Sequence, residues 1–450
     1  MKFETTYKLE DFILDTQWKS LPENVRDRLR GCLIDLVGAL IVGSISDQFR
    51  VGLSSAERMF GEGQLAVIGS EKRFNFLGAA TAMGHSSNAY DIDDGHNIIR
   101  AHPGTSFIGA LLAEAYERDL SLRELLEAML VSYETTVRMG AAIMDYYKYP
   151  HSSGTFGAIG VVAGVGRMRG YTREALNNAL SIAEFNAPLV PAIRSVEYPS
   201  MNKDGVPFGV MIGALALTES ECGFTGNRHL LESDEYSQYL DGLGENYSVM
   251  ELYFKPYPCC RWAHPAIDAC TLLMKEHSLK YTDIEKVVIK TFRRATMLSK
   301  INPHTADEAQ YNIAYPVAAS IVRGDFCIDS VLPEAFDDDE VLAMMNRLDF
   351  CVDDRIDSQF PARRICRAEI FTKDGQHFVS QDCEPRGEAH EGISNVWLSD
   401  KFRRMTAPIL SEQAQAEIIN TILGDENASV RSLIDLTNES IFKSRFKDAN

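Results

Sequence analysis

Residues 91–102 carry three carboxylates, Asp91, Asp93 and Asp94, and two imidazoles, His96 and His102, and Pro103-Gly104 closes the stretch. An apolar, helix-like run follows. Charges withdrawn from water persist in a folded domain only when paired, metal-bound or catalytic. The fold must therefore build partners around this segment or leave it in solvent. The segment alone permits three readings: a catalytic site, a divalent-metal site of Asp and His ligands, or a solvated loop with an Asp as N-cap. A Pro-Gly pair at a helix entrance leaves N–H groups that suit an anion, such as a substrate carboxylate.

The surrounding sequence is helical for its first two-thirds. Ser20-Leu21-Pro22 opens a helix whose apolar positions Val25, Leu29, Cys32, Leu33, Leu36, Val37, Leu40 and Ile41 form one stripe. Further helices are predicted over 104–118, from the capping box Ser121-Leu122-Arg123-Glu124 toward Met139, over 154–168, after Thr172, and over 207–221. The pattern changes after about residue 280. Residues 284–292 read as a strand, and 365–371 with 377–383 as a hairpin turning at Asp374-Gly375. Helices are expected over 317–322, 339–347 and 411–423. The fold class expected is mainly α: a large all-helical domain over 1–265, to which 400–450 return, and a smaller α+β domain over 266–399.

The net charge of −19 argues against nucleic acid or an anionic membrane as a partner. An anionic substrate would need a local cluster of Lys, Arg and His. Nine cysteines without a C-x-x-C pair suggest neither a zinc framework, a disulfide scaffold nor an iron–sulfur site. The N-terminus does not read as a signal peptide, and no apolar run approaches the about eighteen residues of a membrane span. A reduced, cytoplasmic protein is expected.

Three more constellations carry chemistry. His151 precedes Ser152-Ser153-Gly154-Thr155 at a helix start and could be a base, an anion donor, or a capping and packing residue. Neither serine sits in a G-x-S-x-G elbow, which disfavours acyl transfer. Lys203 occupies a polar turn between two apolar runs. In Lys255-Pro256-Tyr257-Pro258-Cys259-Cys260-Arg261 two prolines fix an extended backbone from which Lys255, Arg261 and the nearby His264 can project. The Gly164-Val165-Gly166 run fails the spacing of a dinucleotide fingerprint.

In chain order these segments resemble the MmgE/PrpD family, which includes 2-methylcitrate dehydratases, cis-aconitate decarboxylases and an iminodisuccinate epimerase. The matching residues are Tyr90-Asp91-Ile92-Asp93-Asp94 with His102-Pro103-Gly104, and His151 with Gly154-Thr155-Phe156-Gly157. Lys203 with Gly223-Phe224-Thr225-Gly226, the Lys255–Arg261 segment with His264, and Tyr311-Asn312-Ile313-Ala314-Tyr315 complete them. The resemblance implies a helical domain and a smaller α+β domain with the active site between them, a homodimer, and catalysis without metal or organic cofactor. It implies that Asp91, His102, His151, Lys203, Lys255 and Tyr315 line the pocket; Asp91, His102, His151 and Lys203 are expected to be catalytic, and Lys255, Arg261 and Tyr315 substrate-binding. Two positions depart from the family pattern. Gly95 stands where a hydroxylated residue often follows the aspartates, and Lys203-Asp204-Gly205-Val206-Pro207 replaces a lysine followed by a His-Ala-Gly turn.

The resemblance implies chemistry that removes or replaces a proton at a carbon next to a carboxylate, so cations and donors must face a developing enediolate. Lys203, Lys255, Arg261 and His102 are the expected suppliers, His151 or Asp91 the expected base, and His102 or Tyr315 the expected acid. The activity expected is a cofactor-independent hydro-lyase on a hydroxy di- or tricarboxylate. An epimerase or isomerase, a decarboxylase, a non-catalytic carboxylate-binding protein and a metal-dependent hydrolase are the alternatives.

Overall fold

The computed structural model describes residues 1–447. Its principal elements are α1 (Glu23–Gly43), α2 (Asp47–Phe60), β1 (Glu62–Val67), β2 (Ser70–Phe74), α3 (Phe76–Ser87), β3 (Gly95–His96), α4 (Thr105–Arg118), α5 (Leu122–Tyr147), α6 (Ser153–Arg169), α7 (Arg173–Asn186), α8 (Val206–Glu221) and β4 (Leu252–Tyr253). There follow α9 (His264–Glu276), β5 (Ile284–Thr291), α10 (Ala314–Arg323), α11 (Asp339–Met345), β6 (Leu348–Val352), β7 (Cys366–Thr372), β8 (His377–Val379), α12 (Asn395–Thr406), α13 (Glu412–Leu423) and α14 (Val430–Lys447). The fold is mainly α with a smaller α+β part, as the residue pattern implies.

The helical part is assembled on α6, which packs against α4, α5, α7 and α8. Its small residues permit this approach. A Cβ on Gly154 would lie 2.1 Å from the Gly205 carbonyl oxygen, so α6 and the start of α8 touch backbone to backbone. The reciprocal capping box at Ser121 and Glu124 forms as its spacing predicts. Helix α12 returns to α1, where Lys401 and Asp35 make a buried ion pair.

In the α+β part the strand order is β6-β5-β7-β8, with β5 parallel to β6 and antiparallel to β7. Alternate residues of β7 are buried, and α9 covers that face. The hairpin turns at Gly375, whose φ of +86° a side chain would resist. Its second strand ends at Val379, short of the expected Cys383, which makes only an isolated bridge with Cys366. Strand β6 is absent from the sequence expectation because its five residues merge into the preceding helical pattern. Among the described residues no single helix is long and apolar enough to cross a membrane.

Candidate active site

The 88–104 connection between α3 and α4 is pulled inward rather than exposed. Strands β3 and β4 pair Gly95 with Tyr253 and His96 with Leu252, which brings Lys255 over the acidic loop. Lys255 Nζ lies 2.6 Å from Asp91 Oδ1, and both side chains are buried. Asp91 takes a left-handed φ of +50°, a conformation that residues other than glycine adopt at a cost and that clusters at functional sites.

His102 sits between two carboxylates. Its Nε2 is 3.3 Å from Asp91 Oδ1, and its Nδ1 is 3.0 Å from Asp93 Oδ2 and 2.8 Å from the Asp94 carbonyl oxygen. Burial disfavours the imidazolium, but Asp93 more than offsets this, so the His102 pKa lies well above its ordinary value. Burial likewise works against the Lys255 ammonium, yet Asp91 and Asp93 hold it charged. Asp93 also accepts a 2.9 Å hydrogen bond from Asn88 Nδ2 and, despite burial, stays more acidic than usual. Asp94 differs. It accepts the Gly104 N–H at 3.0 Å at the start of α4 and a hydrogen bond from the Tyr133 hydroxyl. Burial, reinforced by Asp93 and Asp35, pushes its pKa up to about 7.

Asp91 and His102 open onto a cavity of about 520 Å³. Lys255, Arg261, Arg100, Arg294 and Arg364 share its wall with Asp204, Tyr253 and Tyr311, and Tyr149, Trp262 and Phe360 supply apolar surface. Arg261 stacks 4.6 Å from the Tyr253 ring centroid and is fixed by Glu388 Oε1 at 2.9 Å and the Arg386 carbonyl at 2.8 Å. Asp204, at φ +51° just before α8, accepts from Ser153 Oγ at 3.2 Å and from the Tyr311 hydroxyl at 3.0 Å. Burial and the nearby Asp204 keep the Tyr311 phenol protonated far above its ordinary pKa.

Three of the expected site residues do not reach the cavity wall. Lys203 Nζ donates to the Ala89 carbonyl at 2.6 Å, to Gln310 Oε1 at 2.6 Å and to Asp307 Oδ1 at 2.9 Å, which accounts for all its protons. It ties the acidic loop to residues 307–310. His151 lies behind Tyr149, ring centroids 4.2 Å apart, in a backbone bridge to Pro191. Burial lowers its pKa and keeps it neutral. The Tyr315 hydroxyl donates to the Ser330 and Ala335 carbonyls inside the smaller part. The tyrosine of that motif at the cavity is Tyr311, four positions earlier. Asp204, Tyr253, Arg100, Arg294 and Arg364 join the cavity wall without belonging to the expected site residues. The departure at Asp204 was the one sequence signal among them.

Asp91, His102 and Asp204 each offer a ligand atom within 4.8 Å of one another. Lys255 Nζ already stands 2.6 Å from Asp91 Oδ1, so an ion bound there would have to compete with this ammonium for the carboxylate.

Residues 7–243 match the MmgE/PrpD N-terminal domain and residues 257–425 the MmgE/PrpD C-terminal domain. A cis-aconitate decarboxylase-like protein of Aspergillus oryzae is 22% identical over 471 aligned positions, covering 96% of each chain. The cis-aconitate decarboxylase of Homo sapiens is 22% identical over 89% of this chain and 88% of its own. That of Aspergillus terreus is 21% identical over 93% and 92%. With both domains matched in order along nearly the whole length, the chain belongs to the MmgE/PrpD family.

Proposed function

We propose that this protein is a cofactor-independent carboxy-lyase acting on an unsaturated polycarboxylate. The observation that carries this reading is His102, held as a charged acid between Asp91 and Asp93 at the edge of a cation-lined cavity. A decarboxylation needs an acid more than a base. The carbon–carbon bond to a carboxylate breaks, carbon dioxide leaves, and the electron pair is delocalised into a remaining carboxyl group. Lys255 and Arg261 stabilise that charge. His102 then delivers its Nε2 proton to carbon and is reprotonated from solvent.

The expected dehydration requires a base to remove a carbon-bound proton. His151, the neutral imidazole suited to that task, lies behind Tyr149. Asp204 facing the cavity keeps dehydration as a second reading, since its carboxylate could take that proton. The names of the relatives above favour decarboxylation. Lys203 acts in this proposal as a positioning residue, and Tyr311 takes the place expected of Tyr315. Self-association into a homodimer is supported by apolar side chains exposed near α7 and α8, Phe185 at 70%, Tyr198 at 79% and Phe208 at 48%.

The test is incubation with cis-aconitate, 2-methylcitrate and iminodisuccinate in D2O, followed by NMR and carbon dioxide release. Carbon dioxide with one deuterium placed on the product carbon is the expected outcome, lost in His102→Gln. Hydration or dehydration without carbon dioxide would establish the second reading.

A further inference from the structure

At the inner end of the cavity Lys255 and His102 are paired with Asp91 and Asp93, the ammonium still carrying N–H donors for a ligand carboxylate. The rest of the wall carries unpaired positive charge. Among the described residues, Arg100, Arg294 and Arg364 all line the cavity without a carboxylate within ion-pair distance. In a chain of net charge −19, three such arginines around one space are an unbalanced positive cluster.

Arg364 is the most constrained of them. It is only 8% exposed, donates through Nη1 to Asn97 Oδ1 at 2.8 Å, and leaves its buried Nε without a partner. The carboxylate whose field reaches it, Glu388, is already hydrogen-bonded by Arg261 and by Asn97 Nδ2 at 2.9 Å. Arg100, more exposed on the same cavity wall, has its pKa lowered by burial and by the like charge of Arg364. A buried guanidinium N–H left unpaired on a cavity wall that carries a second guanidinium suits an anionic group of a ligand.

The same cavity also has an apolar wall. Trp262 packs edge-on against Phe360, ring centroids 6.1 Å apart, and Ile193 and Val196 line the same cavity. A volume of about 520 Å³ falls within the roughly 300–1,000 Å³ of pockets that hold ligands larger than a small tricarboxylate.

We infer that the cavity takes an elongated polycarboxylate, with one carboxylate end at Lys255 and His102, an apolar body along Trp262 and Phe360, and a further anionic group bound by Arg364 and Arg100. This rests on the carboxylate-binding part of the proposed function and names its substrate class. It requires no turnover to test.

The experiment is isothermal titration of the purified full chain with succinate, adipate, suberate and sebacate, and with octanoate as an equally long monoanion. Suberate or sebacate should bind at least about tenfold tighter than succinate, the scale of one charge-assisted hydrogen bond. Octanoate should not share the gain. In Arg364→Met, and in the surface-accessible Arg100→Met should the first variant not fold, the ratio of long to short diacid should fall to near one. Equal binding of octanoate and suberate, no length preference, or a gain that survives both substitutions would overturn the inference while leaving the carboxylate reading in place. Failure of every diacid to bind the wild type would remove both.

Discussion

The ring of Tyr253 fills the space that a side chain at Gly95 would need. A Cβ there would lie 2.2 Å from Tyr253 Cζ and 2.3 Å from its hydroxyl oxygen. The glycine after the aspartates is thus coupled to an aromatic wall of the cavity, against which Arg261 stacks. Gly95→Ala should cost about 1–3 kcal/mol by overpacking and weaken substrate binding by moving Tyr253. Adding Tyr253→Leu should recover stability but not affinity, with the coupling read from denaturant unfolding of both singles and the double. Additive losses would show that the two positions are independent.

Lys255→Met removes the cation nearest Asp91 and leaves a buried carboxylate opposed only by His102. A loss of about 3–5 kcal/mol is expected, together with loss of turnover. Asp91→Asn with Lys255→Met should restore much of the stability and none of the activity, as measured by urea unfolding and steady-state assay.

Lys401 acts on the loop from a distance in sequence. Its Nζ donates to the Ile92 carbonyl at 2.6 Å and pairs with Asp35. Lys401→Met should lower stability by about 3–5 kcal/mol. Asp35→Asn with Lys401→Met should recover most of it while kcat stays depressed, because the Ile92 carbonyl remains unheld. Full recovery of kcat in the double variant would remove the positioning role.

Asp94 gives the folded state a pH dependence of definite sign. Its folded pKa of about 7 exceeds its ordinary value of 3.8, so the native state keeps a proton that the unfolded chain releases. Its contribution is fully present below pH 3.8 and lost as pH rises through about 7. Asp94→Asn should flatten the fall in Tm across that window, and an unchanged slope would place the titration elsewhere.

Tyr311→Phe and Tyr315→Phe should separate cleanly. Tyr311 holds Asp204 at the cavity, so its loss should reduce kcat/KM with little change in Tm. The Tyr315 hydroxyl donates to backbone carbonyls of the smaller part, away from the cavity wall, so its loss should cost about 1 kcal/mol and leave kcat/KM unchanged.

Much of this molecule was readable before its structure. The stripe from Val25 to Ile41, the capping box at Ser121 and the turn at Gly375 are local signals, set by side chains a few residues apart, and they appear where their spacing puts them. The motif order from Asp91 to Tyr315 was likewise enough to indicate the family. Residue type also showed that the 91–102 segment needs partners, since charge burial is costly whatever the fold.

Which partners it has is a tertiary matter. Lys203 and Lys255 look equivalent in sequence, yet one is consumed by Ala89, Asp307 and Gln310 while the other faces Asp91 in the cavity. Tyr311 and Tyr315 stand in one short motif, and only the turn into α10 decides that the first reaches Asp204 and the second points away. The acidic stretch by itself was compatible with a metal site. Packing β4 beside β3 brings the Lys255 ammonium within 2.6 Å of Asp91, so the cation that balances this carboxylate is the protein's own. Sequence determined that charges would be gathered here, because their number and burial cost are intrinsic. Only the fold could decide which are mutually neutralised and which are left free to meet a substrate, because that depends on contacts between residues more than a hundred positions apart.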